Sequence, residues 1–108
     1  MAIDLHCGQI QGFFRIPVDN LYGRISLLEK FKSIVPDLKN VVVVSPDAGG
    51  VERADGFRAG LAKLGIQASM AMMNKTRKEA NKIEHMELVG SVKGCDAIIV
   101  GKLKMIMN

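Results

Sequence analysis

The chain has 108 residues, 48% hydrophobic and 24% charged, which fits one soluble domain rather than a polar tail or a multi-domain protein. Its net charge of +4 comes from basic residues spread along the chain without interleaved aromatics, so we expect small phosphorylated ligands rather than a nucleic acid. There is no apolar run long enough for a membrane span, no secretion signal at the start, and no metal-ligand spacing at Cys7 and Cys95. These features predict a cytoplasmic protein with no membrane partner.

The first third of the chain predicts one helix. Residues 4–14 are mixed in character, and residues 16–20 form a short extended piece or turn around Pro17. From residue 21 to about 35, apolar side chains recur at helical spacing, and Pro36 then ends the pattern.

The rest of the chain alternates between strands and helices. Residues 41–44 are four consecutive valines, typical of a strand covered on both faces, and residues 51–64 follow helical spacing up to a capping Gly65. Further strands are predicted at residues 66–73 and 97–100, with a mobile polar loop at 74–81. Residues 82–88 are either a short helix or extended, and 89–92 form a minor strand. The alternation predicts an α/β fold with a parallel sheet and ligands at the carboxyl ends of its strands.

Asp4-Leu5-His6 is the first candidate for chemistry. A carboxylate and an imidazole so close together can bind a divalent ion or position a proton. The alternative is a histidine that is merely hydrogen-bonded at a strand end.

The segment Ser45-Pro46-Asp47-Ala48-Gly49-Gly50 is the second candidate. It joins a buried type of strand to a helix, so backbone N–H groups at the helix start can meet an anion. Asp47 could hold magnesium through water, or it could cap the helix while the glycines simply form the turn. The glycine spacing is not that of a standard nucleotide-binding loop.

Lys75 and Arg77 are the third candidate. Two cations on alternate positions of a loop could close over a phosphate chain and stabilise the charge that develops during transfer. The alternative is a solvated basic surface.

Taken together, these segments resemble ribose-phosphate pyrophosphokinase over residues 3 to about 100. The resemblance is carried by Asp4-Leu5-His6, Gln9-Ile10-Gln11-Gly12-Phe13-Phe14, Ile16-Pro17-Val18-Asp19-Asn20-Leu21, Ser45-Pro46-Asp47-Ala48-Gly49-Gly50, Lys75-x-Arg77, Asn81 and Met86-x-Leu88-Val89-Gly90. It implies a partial phosphoribosyltransferase-like, Rossmann-like fold. Residues 1–35 would end an N-terminal domain of this type, and residues 36–108 would form the first half of a C-terminal one.

The resemblance also implies a binding site for Mg²⁺ and ATP. His6 is similar to the family's magnesium and ATP-phosphate contact, and Asp47 to an aspartate near the second metal or the ribose hydroxyls. Gly49 and Gly50 belong to the same substrate-binding motif.

Two further pairs of residues acquire roles from the resemblance. Lys75 and Arg77 match the catalytic pair of a flexible loop. Asp19 and Asn20 fall in a segment that contributes to an allosteric anion and nucleotide site between subunits.

The chain departs from the family after residue 100. Where the family has two aspartates and a small-residue loop for ribose 5-phosphate, this chain has Gly101 and Lys102. The first hypothesis is therefore a homologue, by descent, of the pyrophosphokinases that act on ATP and ribose 5-phosphate. We expect this chain to be inactive alone. The alternative is a non-catalytic module that assembles with full-length synthetase subunits as a homo- or hetero-oligomer, and a third is a fragment without selected function.

Overall fold

The computed structural model describes residues 1–34, 37–76 and 85–101. The chain divides into two compact units, Met1–Val35 and Pro36–Asn108. Which domains of a pyrophosphokinase these units represent stays a prediction. In the described ranges, no helix combines the length and the apolar character needed to cross a membrane.

The first unit contains a short parallel strand pair and a helix. Strand β1 (Ala2–Ile3) pairs with β2 (Asn20–Leu21), a 3₁₀ helix spans Gly8–Phe13, and helix α1 spans Arg24–Ile34. The helix begins three residues later than predicted because residue 21 is held in β2 by its pairing with residue 3. Of the predicted apolar stripe, Leu28 is buried whereas Ile25 is 59% exposed.

The second unit is built around one buried strand. The sheet has the order β5-β4-β3-β6, with β3 at Val41–Ser45, β4 at Ala68–Thr76, β5 at His85–Val89 and β6 at Ala97–Ile99. Strand β3 pairs in parallel with β4 and β6, and all five of its residues are buried. The predicted central strand is confirmed.

A helix and a loop segment pack against this sheet. Helix α2 (Val51–Lys63) contacts β3 and β4 and buries Ala54, Phe57 and Leu61. Val92 and Cys95 pack against a buried cluster of Val42, Val44 and Ala71. The predicted helix is confirmed, and Gly65 follows it with a φ of +84°, the left-handed conformation expected just after a helix end.

The region after β4 differs from the prediction. Residues 74–76 belong to β4 rather than to a loop, and β5 pairs with β4 in antiparallel fashion, so the sheet is mostly rather than wholly parallel. Polar residues are tolerated in this part of β4 because it extends beyond the end of β3 and faces solvent. Its backbone groups are hydrogen-bonded to those of β5 instead. Of the predicted strand at 89–92 only Val89 lies in a strand, β5, and Gly90 follows it with a φ of +108°. Residues 77–84 lie outside the described ranges.

Candidate functional site

The carboxyl ends of β3 and β6 lie side by side. The amide of Val100 donates to the carbonyl of Val44 at 3.0 Å, just beyond the last pair of the β3–β6 ladder. Next along the chain, Gly101 lies against Pro46, so closely that a Cβ at position 101 would stand 2.8 Å from Cγ of the proline. The turn after the central strand therefore occupies the sheet edge at which the sequence predicts ligand binding.

Two hydrogen bonds that involve side chains hold the turn, beside the backbone bond from the Gly50 amide to the Asp47 carbonyl at 3.2 Å. The Ser45 hydroxyl, on a fully buried residue, donates to the Asp47 carbonyl at 2.7 Å. The Asp47 Oδ1 atom accepts the amide of Gly50 at 2.8 Å and caps the short 3₁₀ helix Ala48–Gly50 that leads into α2. The capping interpretation of Asp47 is thus confirmed, and it leaves the magnesium interpretation open because only one carboxylate oxygen is used.

Close packing explains one of the two glycines in the turn. A Cβ at Gly50 would lie 2.8 Å from Oγ of Ser45, closer than real Cβ contacts, whereas at Gly49 the nearest atom would be an Asp47 oxygen at 3.4 Å. Position 50 therefore requires glycine for the turn itself, and position 49 is not constrained in the same way. The sequence includes Ser45 in the candidate segment but predicts no role for its hydroxyl, because that role depends on burial that appears only in the folded sheet.

The exposed part of the turn offers groups for an anion and a cation. In the described ranges, no hydrogen-bond donor is found for Asp47 Oδ2, and Asp47 is exposed. The amides of Ala48 and Gly49 open a helical segment and have no acceptor within it. A carboxylate oxygen suits magnesium, and free amides suit phosphate oxygens.

The described residues contain no group of three or more His, Cys, Asp or Glu side chains arranged to hold a metal ion. Magnesium is commonly bound through one or two carboxylates together with water and substrate phosphates, so Asp47 alone fits that mode of binding. The residues present therefore fit a magnesium ion that is shared with a phosphorylated ligand.

Lys75 lies at the same end of the sheet as the turn. Ser45 is paired with Met72 of β4, and Lys75 stands three residues further along the same strand, which places it about 10 Å beyond the end of β3. It is exposed, and its backbone is paired with Met86. Arg77, the second cation of the predicted pair, lies outside the described residues, so the position of Lys75 alone can be given.

His6 lies in the first unit, in an exposed segment that follows β1. The neighbouring Asp4 fixes this segment: its amide donates to Leu21 O at 2.8 Å, and its Oδ2 accepts the amide of Gly23 at 3.3 Å. Asp4 adopts a φ of +52°, a left-handed conformation that aspartate tolerates better than most residues. The catalytic or metal-binding role of His6 stays a prediction.

Asp19 and Asn20, the predicted allosteric residues, are both tied to β1 and the segment that follows it. The Asn20 Oδ1 atom accepts the amide of Leu5 at 3.3 Å, and the Asp19 carbonyl accepts the amide of Ala2 at 2.8 Å. The Asp19 side chain is exposed. Asn20 therefore has a structural role within the first unit, and an allosteric role for either residue stays a prediction.

Comparison with known proteins gives a consistent result, although no family model matches the chain. The chain is 46% identical over 100 residues to ribose-phosphate pyrophosphokinase A of Dictyostelium discoideum, an alignment that covers 93% of the chain and 29% of that protein. It is 47% identical over 100 residues to the ribose-phosphate pyrophosphokinase of Buchnera aphidicola subsp. Acyrthosiphon pisum (strain APS), with 93% and 30% covered. This chain is similar to a segment of ribose-phosphate pyrophosphokinase.

A solved structure extends the similarity to the fold. The phosphoribosylpyrophosphate synthetase from Mycobacterium smegmatis superposes with a TM-score of 0.74 at 35% identity, over 90% of this chain and 28% of that one. The expected α/β fold of the phosphoribosyltransferase type is thereby confirmed for this segment. The chain spans less than a third of the length of these ribose-phosphate pyrophosphokinase relatives.

Proposed function

We propose that this chain is a ribose-phosphate pyrophosphokinase homologue that keeps the ATP-phosphate side of the site and lacks the carboxylates of the ribose-phosphate side. The observation that carries the proposal is the Asp47 turn, in which an exposed carboxylate caps a short 3₁₀ helix at the carboxyl end of a buried parallel strand. It lies within a segment 46–47% identical to pyrophosphokinases. A cytoplasmic location remains a prediction of the sequence.

The reaction proposed for the family type is an in-line transfer. The ribose 1-hydroxyl attacks the β-phosphorus of ATP, a new oxygen–phosphorus bond forms, and AMP leaves with the former bridging oxygen. Catalysis of this kind depends on positioning and charge neutralisation. In this chain, Asp47 Oδ2 would hold magnesium, directly or through water, and the amides of Ala48 and Gly49 would meet phosphate oxygens. Bound magnesium supplies additional neutralisation of the phosphate charge.

The cations complete the proposed ATP side. Lys75 would neutralise phosphate charge from its position beyond the end of β3, with Arg77 as its partner. His6, in the first unit, is proposed as a contact of magnesium and the ATP phosphates. Asp19 and Asn20 are proposed as part of an anion and nucleotide site between subunits.

The acceptor side is proposed to be defective. In the resemblance, an acidic pair that holds the ribose follows the strand matched by β6, and this chain has Gly101 and Lys102 there. Neither residue has a carboxylate, and the lysine has the opposite charge to the one required near magnesium. We therefore expect little or no phosphoribosyl pyrophosphate formation by this chain alone.

Calorimetric titration of the full chain with ATP, with and without magnesium, tests the ATP side. We expect magnesium-dependent binding that falls about tenfold or more in Asp47→Asn and in Lys75→Ala, because each removes one ionic contact to the ligand. Lys63→Ala is the matched control, since Lys63 is exposed in the last turn of α2, away from the turn. The absence of any magnesium-dependent binding by the wild-type chain would overturn the proposal.

A synthesis assay tests the acceptor side. Purified chain with Mg-ATP and ribose 5-phosphate is expected to give no measurable turnover. A rate near the median for enzymes, about 10 per second, would show that the acceptor side is intact.

An assembly role is the second candidate, and exposed aromatic side chains favour it. Phe13 is 87% exposed and Phe14 52% exposed, and large exposed apolar side chains are frequent at protein–protein contacts. Co-purification with a full-length synthetase subunit at micromolar concentration tests this role. Phe13→Ala/Phe14→Ala should abolish the complex, while Leu27→Ala, at an exposed residue of α1, should not.

A further inference from the structure

We infer that Asn20 is a positioning residue for His6: its side-chain oxygen binds the Leu5 amide just beyond the end of strand β1 and so fixes the backbone next to the histidine. The effect of this bond on ligand binding rests on the proposed function, in which His6 contacts magnesium and the ATP phosphates. Its effect on the position of the His6 segment does not.

The backbone bonds between β1 and β2 stop shortly before the histidine. The last of them joins the Asp4 amide to the Leu21 carbonyl at 2.8 Å. Asp4 then takes a φ of +52°, which turns the chain away from the extended course of β1. In the described ranges, the next amide, that of Leu5, donates to no backbone carbonyl.

The Asn20 side chain supplies the acceptor for this amide. Its Oδ1 atom accepts the Leu5 amide at 3.3 Å, across fifteen positions of sequence. Leu5 is half-buried, so its amide needs a partner, and asparagine is one of the short side chains that can take the place of a backbone carbonyl. The Asn20 backbone is itself held in β2 by its pairing with Ala2, which fixes the acceptor in place.

The other end of the segment is fixed as well. The Cys7 carbonyl accepts the amide of Ile10 at 3.3 Å in the first turn of the 3₁₀ helix that follows. His6 therefore lies between two residues whose backbone groups are hydrogen-bonded, Leu5 on one side and Cys7 on the other. Loss of the bond to Leu5 releases one side of this short connection, and the backbone at His6 then has more conformations available to it.

The bond engages only one end of the Asn20 carboxamide. Within residues 1–34, 37–76 and 85–101, the Nδ2 group donates to no acceptor, so it can still donate to an anion at the proposed site between subunits. Position 20 therefore serves His6 through its oxygen, whatever binds at its nitrogen.

Hydrogen exchange and NMR of the full chain test the inference without any ligand. In the wild type the Leu5 amide should exchange more slowly than an exposed amide. In Asn20→Ala it should exchange about tenfold faster than in the wild type, because it has lost one hydrogen bond. The resonances of the His6 backbone amide and ring should shift in the same variant. Asn20→Asp keeps an acceptor oxygen and should restore slow exchange of the Leu5 amide.

Ser33→Ala is the matched control. It also removes a side-chain-to-backbone hydrogen bond of the first unit, from the Ser33 hydroxyl to the Lys30 carbonyl at 2.7 Å in helix α1. Leu5 exchange and the His6 resonances should match the wild type in this variant. Shifts of equal size in Ser33→Ala and Asn20→Ala would indicate a general loosening of the unit and would contradict the inference.

Calorimetry with Mg-ATP measures the consequence for the site. Asn20→Ala should lower the affinity about fivefold or more, because a released segment must be ordered again when the ligand binds. If Asn20 acts through His6, the same change should cost nothing further in His6→Ala, which a double-mutant cycle measures. Equal losses from Asn20→Ala in the two backgrounds would contradict the inference.

The outcomes separate this inference from the proposed function. Failure of the wild-type chain to bind Mg-ATP would overturn the proposed function, while Leu5 exchange and the His6 resonances would still test Asn20. A wild-type Leu5 amide that exchanges as fast as an exposed amide would overturn the inference, and this measurement decides even if Asn20→Ala does not fold. Unchanged His6 resonances in folded Asn20→Ala would overturn it too.

Discussion

Asp4 and Asp47 make the same kind of side-chain hydrogen bond in two different parts of the molecule. Each carboxylate accepts a hydrogen bond from the backbone amide of a glycine. Asp4 accepts from Gly23 at 3.3 Å, and Asp47 accepts from Gly50 at 2.8 Å. At both glycines a Cβ would collide with a side-chain oxygen, at 2.9 Å from Asp4 Oδ2 and at 2.8 Å from Ser45 Oγ. The two aspartates differ in the strand that precedes each of them. Asp47 follows a strand of five buried residues, whereas Asp4 follows a strand of only two residues, neither of which is buried.

This difference indicates which of the two aspartate carboxylates is held more rigidly in position. The bond of Asp47 spans three residues and stands on the packed core of the second unit, so little conformational freedom is lost in forming it. The bond of Asp4 spans nineteen residues, is exposed, and depends on the pairing of two short strands. We therefore expect the Asp47 turn to be the more rigid of the two.

The largest effect on stability should come from a substitution in the packed core of the second unit, which carries the Asp47 turn. Leu61 is fully buried in α2, and Leu61→Ala should lower the free energy of unfolding by roughly 2–5 kcal/mol through lost burial and the cavity left behind. Leu27→Ala in α1, at a side chain 65% exposed, should change it by no more than about 0.5 kcal/mol. Urea unfolding followed by circular dichroism compares the two, and equal losses would contradict the difference between the units.

The next effect concerns the sheet beside the turn. At Gly90 a Cβ would lie 3.0 Å from Cβ of Ala71 in a backbone with a φ of +108°, so Gly90→Ala should cost roughly 1–3 kcal/mol. Gly94 has a φ of +71° but no atom within 4 Å of an added Cβ, and Gly94→Ala should cost less. Thermal unfolding measures both. A cost for Gly94→Ala as large as that for Gly90→Ala would show that contact with Ala71 is unimportant.

A smaller effect separates the two functions of Asp47. Asp47→Ala removes the cap and should lower stability by about 1 kcal/mol. Asp47→Asn keeps an acceptor for the Gly50 amide and should be nearly as stable as the wild type, while it loses the charge for magnesium. Stability and magnesium-dependent ATP affinity are measured in parallel. The account fails here if the two variants lose stability equally.

The smallest effect is expected at the other aspartate. Asp4→Ala removes an exposed hydrogen bond and should cost about 0.5 kcal/mol, the lower end for such bonds. Asp4→Asn should cost less, since asparagine keeps an acceptor and tolerates the φ of +52°. Hydrogen exchange of the Gly23 amide reports the change directly. A larger loss at Asp4 than at Asp47 would reverse the comparison.

The features that were predictable from the sequence are local ones. Four consecutive valines predict the buried strand, apolar spacing predicts α2, and Gly65 marks its end, because each depends on neighbours along the chain. The Asp47 turn was predictable for the same reason.

The features that sequence reasoning missed depend on contacts between distant residues. The sequence predicts a loop at the polar end of β4, because only the antiparallel pairing with β5 shows that this end is a strand. The sequence predicts Leu21 in a helix because its strand partner, Ile3 of β1, lies eighteen positions away. The contact of Gly101 with Pro46 likewise joins two strand ends that are distant in sequence.

The most direct test of the central claim is a map of where Mg-ATP binds. In a ¹H–¹⁵N titration of the full chain, the account predicts magnesium-dependent changes at the amides of Ala48, Gly49 and Gly50, and loss of these changes in Asp47→Asn. Resonances of the turn that stay unmoved at saturating Mg-ATP, or that move equally without magnesium, would contradict it.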